Sequence, residues 1–289
     1  MNKNTQEDSE MKKYLIITVA ACLILSCGEN IEEKAMHHLD NAQQAFQNGN
    51  YNVAKQEIDS IRILYPKAFE TRRKGISLMQ QVEEAEQLRT IEYENGMIEQ
   101  ATAAFEKIRS GYAYEKDENY QDLGLYTIKS QAVAKNSNRA YVRAQVDEHG
   151  KMTLISCWCG NAYIHHNQVR FSVGDLYAET PVSDDRHEFK DLGVCYERLS
   201  FLNGQDGGAS AFIAAHKDEN ITFSVINGKS RGKYYLAKED RYAIAQLYDL
   251  SLILSSLHEH KAIRDEAERK LNFVRSRMQE SASKEQAVQ

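Results

Sequence analysis

The chain has 289 residues, 42% hydrophobic and 27% charged, with a formal net charge of -6. That balance belongs to a folded globular chain with room for one large or two modest domains, and the lack of a basic domain argues against nucleic acid as a partner. Pro occurs only at Pro66 and Pro181, which suits long helices, because an interior Pro removes a backbone donor and clashes with the preceding turn.

Residues 1–10, MNKNTQEDSE, are polar and acidic, and do not fit ahead of the segment that follows. From Met11 the chain reads MKKYLIITVAACLILSCG. Lys12 and Lys13 form a short positive region, and Tyr14 to Leu25 is an apolar run too short to cross a ~30 Å bilayer core. This is the pattern of a signal peptide, with Met11 as its expected start. Ile24-Leu25-Ser26-Cys27, with Gly28 after it, resembles the lipobox of bacterial lipoproteins. The resemblance implies cleavage before Cys27 and lipidation of its thiol, where several acyl chains anchor far better than one. A plain secretory signal or a membrane anchor is the alternative. Gly28 is not the Asp that retains enteric lipoproteins in the inner membrane. The CGENIEEK start resembles that of Bacteroidota lipoproteins, which implies a cell-envelope location at the outer membrane, on its periplasmic or its surface face. With Cys22 removed and Cys27 lipidated, Cys157, Cys159 and Cys195 remain. That odd count allows one disulfide and one free thiol.

Ile31 to Pro66 reads as a helical hairpin. Leu39, Ala42, Ala45 and Phe46 recur at helical spacing, Gln47-Asn48-Gly49-Asn50 breaks it, and Ala54, Ile58 and Ile61 resume it before Tyr65-Pro66. Gly49, Tyr51, Ala54, Ile58, Ile61 and Pro66 resemble one tetratricopeptide unit, with His38 where that unit has an aromatic residue. A single unit cannot bury its own face and needs something to pack on.

Lys67 to Ser110 has no Pro and reads as one helix of about forty residues. Its apolar positions are Ile76, Met79, Val82, Leu88, Ile91, Ile98, Ala101, Phe105 and Ile108. Lys238 to Ser281 is its counterpart, with Ile244, Leu247, Leu254, Leu257, Ile263, Ala267, Leu271, Val274 and Met278. Two such helices around a different kind of segment predict an α+β protein: a helical hairpin (27–66), an antiparallel stalk (67–111 and 237–282) of coiled-coil type, and an inserted antiparallel β-rich head (112–236). Breaks near Gly96 and at His258-Glu259-His260 are the alternative. Residues 283–289 read as a disordered tail.

Within the head, Ala140 to Val146, the turn Asp147-Glu148-His149-Gly150 and Lys151 to Cys159 predict a hairpin. Val169, Phe171 and Val173 mark a further strand. Cys195, Glu197, Leu199 and Phe201 fall on one face of another. Asp206 to His216 is a short helix or strand, and Ile221 to Ile226 is a strand ending at Asn227-Gly228. The run ENITFSVINGKSRGKYYLAKEDRYAIAQLYD is similar to the closing strand, loop and helix start of uncharacterised Bacteroidota lipoproteins with a small β-domain, which implies no known activity.

LISCWCGNAYIHH, Leu154 to His166, holds the densest chemistry. Period-two alternation puts Cys157 and Cys159 on one strand face with Ile155, and Leu154, Ser156 and Trp158 on the other. Four readings stand: packed core thiols, a disulfide of Cys157 or Cys159 with Cys195, a metal site adding His165 or His166 and Cys195, or a catalytic thiol. C-x-C followed by H-H is not a strong zinc spacing, and i, i+2 thiols on a strand stand too far apart for an unstrained bond to each other. Free Cys is among the most buried residue types, so packing is the expected role.

Asp184-Asp185-Arg186-His187 offers carboxylates and an imidazole to a hydrolytic site, or is a solvated loop. Gly204-Gln205-Asp206-Gly207-Gly208 offers an anion cradle or a plain connection. Arg231-Gly232-Lys233 with Tyr234 and Tyr235 offers contact with acidic lipid or glycan, or is a basic turn. No hydrolase, zincin or nucleotide-loop motif is present. The expectation is a lipid-anchored, non-enzymatic interaction or scaffold protein with an envelope protein partner and no cofactor. The alternatives are a glycan or small-ligand binder using the head's tyrosines, which requires an aromatic-lined concavity, and a metal- or thiol-dependent enzyme.

Overall fold

The computed structural model describes residues 31–288, with side chains through 284. The signal segment and Cys27 lie outside the described residues. The fold is α+β, with antiparallel sheets of six and four strands inserted between long helices. The described residues form two compact units, one of residues 31–93 together with 264–288, the other of residues 94–263.

In the first unit, α1 (31–47) and α2 (Tyr51–Leu64) form the expected hairpin. Gly49, at φ 72°, closes α1: the Asn50 N–H donates to Ala45 O and the Gly49 N–H to Phe46 O, both at 2.9 Å. This is the paired closure that a left-handed residue after a helix permits. Leu39, Ala42, Ala45, Ala54, Ile58 and Ile61 pack together. The hairpin's missing partner is α3 (Phe69–Ile108), whose Leu78 and Val82 join that cluster. α3 comes close at Gly75, where a Cβ would touch Ile58 at 3.5 Å in ordinary van der Waals contact. His38, in the aromatic position, pairs with Glu57 at 2.6 Å and lies against Tyr65.

Two apolar positions of α3, Ile76 and Leu88, face solvent, and Leu78 is buried instead. The apolar stripe of a helix packed on different neighbours along its length need not follow one line. Ile263 is likewise exposed on α6 (Lys238–Val288). α6 runs past residue 282 into the segment expected to be disordered. No Gly or Pro stops it there, and Ala, Glu, Lys and Gln are good helix formers. Neither helix breaks at Gly96 or at His258-Glu259-His260. Within the second unit, His260 Nδ1 meets the buried Glu94 carboxylate at 2.6 Å.

The second unit carries β1 (Ala113–Glu115), β2 (Leu125–Thr127), a four-residue α4 (Val133–Asn136), β3 (Tyr141–Asp147), β4 (Met152–Gly160), β5 (Gln168–Val173) and β6 (Leu176–Glu179). There follow β7 (Arg186–Asp191), β8 (Val194–Phe201), α5 (Ala209–Ala215), β9 (Thr222–Asn227) and β10 (Lys229–Tyr235). The six-stranded sheet is ordered β1-β2-β3-β4-β8-β7 and the four-stranded one β10-β9-β5-β6. The predicted β3–β4 hairpin is present, with Tyr141 opposite Cys157 and Val146 opposite Met152. One core joins Leu154, Trp158, Leu199 and Phe201 of the first sheet to Val169, Phe171, Phe223 and Val225 of the second. Ile213 of α5, Phe105 of α3, and Ile244, Leu247, Leu250 and Leu254 of α6 complete it. These helix residues explain why the compact unit begins and ends inside α3 and α6 rather than at the helix ends.

Candidate functional site

β4 is central, and both of its faces are covered. Its core face carries Met152, Leu154, Ser156 and Trp158; Ile155 and Cys157 form a separate small cluster with Tyr141 on the outer face. The alternation expected from the sequence is therefore observed, but the cysteines look away from the main core.

The pairing of β4 with β8 decides the disulfide question. Cys157 stands opposite Arg198, Cys159 opposite Tyr196, and Cys195 opposite Gly160. Residues opposite each other share a face, and odd and even positions alternate. Cys195 thus belongs to the core face and is separated by the sheet from Cys157 and Cys159. The alternative disulfide of either thiol with Cys195, and the alternative metal set built on all three, do not form in this register. All three thiols are free. Burial pushes the Cys157 and Cys159 thiols up from their ordinary pKa, which withdraws the thiolate that a catalytic or metal-binding cysteine needs.

The histidines are held elsewhere. His166 is fully buried between the sheets, its Nδ1 2.6 Å from Glu197 Oε2 and its Nε2 3.2 Å from Ser156 Oγ. A carboxylate only accepts, so the proton of that bond is on Nδ1. Glu197 also takes backbone N–H bonds from Ile164 (2.5 Å), His165 (2.7 Å) and His166 (3.0 Å). Burial alone raises the carboxyl pKa, but the His166 bond and the three N–H groups overcome it and bring it down to about 2. This Ser–His–Glu chain has the order of a hydrolase relay, yet all three side chains are at most 1% exposed. With no approach for a substrate carbonyl, it fixes the link from β4 to β5. The sequence signal for it was an acidic residue on the otherwise apolar face of β8.

His165, at φ 54°, points outward and meets Glu188 at 2.7 Å. Ligand atoms of His165, Glu188 and Glu197 lie within 4.8 Å of one another. Glu197 is consumed by its four donors, and Arg186 Nε binds Glu188 at 2.6 Å, so a cation there would compete with a guanidinium already in place.

The outer face of the same sheet carries a cavity of about 370 Å³. Its floor and wall include Tyr141 (β3), Cys157 and Cys159 (β4), Tyr196 and Arg198 (β8) and Phe189 (β7), with Arg139 on its border. The Phe189 and Tyr196 rings stack at 4.8 Å, as directly opposed residues on paired strands allow. Residues 133–139 cover one side, held by Arg139, which forks onto Asp240 at 2.7 and 3.0 Å and lies over the Tyr141 ring at 5.1 Å. Among the described residues Arg198 has no ion-pair partner. The Tyr141 hydroxyl is buried without a hydrogen-bond partner, its polar neighbour being the weakly bonding Cys157 thiol. Burial raises the pKa of that phenol, which keeps it protonated.

No family model, curated protein or solved structure matches the chain.

The remaining motifs resolve into structure. Asp206 accepts from the N–H groups of Gly208 and Ser210, both at 2.9 Å, so the supposed anion cradle is filled by the chain's own carboxylate. Asp184 and Asp185 lie exposed ahead of β7, Arg186 is engaged with Glu188, and His187 lies beside Phe189. No hydrolytic cluster forms there. Arg231 and Lys233 sit on the exposed edge strand β10, where cations discourage pairing with another chain. Tyr234 turns its hydroxyl to Trp158 Nε1 at 3.0 Å, joining the two sheets.

Proposed function

We propose that the chain is a non-enzymatic, lipid-anchored cell-envelope protein, held by Cys27, whose β-rich unit binds a small polar ligand, with a saccharide as the favoured class. The observation that carries this reading is the cavity on the outer face of the sheet, where the stacked Phe189 and Tyr196 rings stand beside Arg198. The volume of about 370 Å³ falls in the range of small-ligand pockets. Tyr196 and Phe189 offer flat faces for a sugar ring, and Arg198 offers a charged donor to an acidic substituent. The envelope placement rests on the lipobox-like segment.

Cys159 lines the cavity and supplies the test. A panel of neutral and acidic mono- and disaccharides is screened for slowing Cys159 alkylation. A hit is then checked in Tyr196→Ala and Arg198→Ala, each expected to weaken protection about tenfold or more. A panel that leaves Cys159 equally reactive throughout argues against a saccharide ligand. A hit unaffected by both substitutions would place the ligand elsewhere.

A further inference from the structure

The first unit carries a patch with no role so far. Ile63, Leu64, Phe69 and Ile76 are all more than half exposed, across the turn from α2 into α3. Single exposed apolar residues are ordinary, but four within fourteen positions at one chain reversal are not. The overlapping stretch IRILYPKAFETRRK, residues 61–74, holds Arg62, Lys67, Arg72, Arg73 and Lys74 against Glu70, although the whole chain is acidic.

This turn lies beside the start of the described chain. The Thr71 hydroxyl donates to Glu32 Oε2 at 2.6 Å, and His38 meets the Tyr65 ring. Residue 31 is four positions from Cys27, a tether of at most ~14 Å when fully extended. The six basic residues of that end (Lys34, Arg62, Lys67, Arg72, Arg73 and Lys74) outnumber its four acids Glu32, Glu33, Asp59 and Glu70.

We infer that this turn docks on an anionic bilayer, seating Phe69, Leu64 and Ile63 among the headgroups while the basic residues meet lipid phosphates. The docking rests on the Cys27 anchor for its proximity and on its own apolar and basic groups for its affinity. Amphipathic surfaces of this composition bind through apolar area and attraction to anionic lipid together. Arg62 and Arg73 are engaged with Asp59 and Glu70 only by exposed pairs, which are weak enough to exchange for phosphate.

The test is made on the full chain recovered from membranes and reconstituted into phosphatidylglycerol–phosphatidylethanolamine vesicles with brominated acyl chains. Phe69→Trp is expected to give blue-shifted emission quenched by the bromines. Phe273→Trp, similarly exposed on α6, is expected to add water-like, unquenched emission once the parent's buried Trp158 signal is subtracted from both variants. In a Lys67→Glu/Lys74→Glu background the Phe69→Trp insertion equilibrium should weaken about fivefold or more per cation. The mass of the N-terminal peptide reports acylation separately. An unquenched Phe69→Trp on an acylated chain overturns the docking and leaves the anchor standing. Quenching on an unacylated chain supports the docking and removes the anchor, and loss of both removes both.

Discussion

The His166 imidazole lies 2.6 Å from the Glu197 carboxylate, and neither side chain has any solvent exposure. Their pairing ties the β4–β5 link to β8 at the centre of the second unit. Glu197→Gln keeps the size but removes the charge that four donors address. It is expected to lower unfolding free energy by about 2–4 kcal/mol in urea titration, since removing one partner of a buried pair strands the others. A change under ~0.5 kcal/mol would show that the network is incidental.

The same pair predicts a pH dependence. The folded pKa of Glu197 is lowered from 4.5 to about 2. A depressed carboxyl stabilises the fold above its unfolded pKa, and that contribution is lost as pH falls through the folded value. The stability gap between the parent and Glu197→Gln should therefore be constant near neutrality and narrow between about pH 4.5 and 2. A gap that widens on acidification contradicts the assignment.

Gly150, at φ 81°, closes the β3–β4 turn against α6, where Ser255 Oγ donates to Gly150 O at 3.2 Å. A Cβ at this position would run into the Ser255 backbone and Ser251 O. Gly174, at φ 56°, has open space around it. Gly150→Ala should cost about 3 kcal/mol or more, from strain and overlap together, and Gly174→Ala about 1 kcal/mol from strain alone. Equal shifts in thermal midpoint would refute the close approach.

Asp240, 2% exposed at the start of α6, receives the Arg139 fork. Asp240→Ala releases the segment that borders the cavity. Amide exchange is expected to quicken across residues 129–139 while β3, β4 and β8 stay protected. The stability loss should be about 1–2 kcal/mol, as Arg139 is partly exposed and solvent recovers part of its charge. Unchanged exchange in 129–139 would show that other contacts hold the segment.

The thiols make a redox prediction. Under native conditions an alkylating reagent should modify Cys159 first and leave Cys157 and Cys195 until denaturant is added. A disulfide between Cys195 and Cys157 in non-reducing peptide maps would mean that the β4–β8 register is wrong.

Much of the local structure was legible in the residues. Cys157 and Cys159 were assigned one face of β4 because strand side chains alternate regardless of what covers them. The α1–α2 hairpin, the two long helices and the β3–β4 turn follow from helical spacing, from few prolines and from Gly49 and Gly150 at φ above zero. These are short-range rules acting within a turn or two of the chain. The cavity on the outer face was not legible, because Tyr141, Phe189 and Tyr196 come from three strands that only sheet order makes neighbours. Glu197 was visible as an acid on an apolar face, but its donors stand 31 to 33 residues away, so its purpose was not. Periodicity told which side of its own strand each cysteine occupies. Only the register between β4 and β8 set Cys195 on the opposite side of the sheet, because pairing between distant strands is chosen by the whole buried core and not by either strand alone.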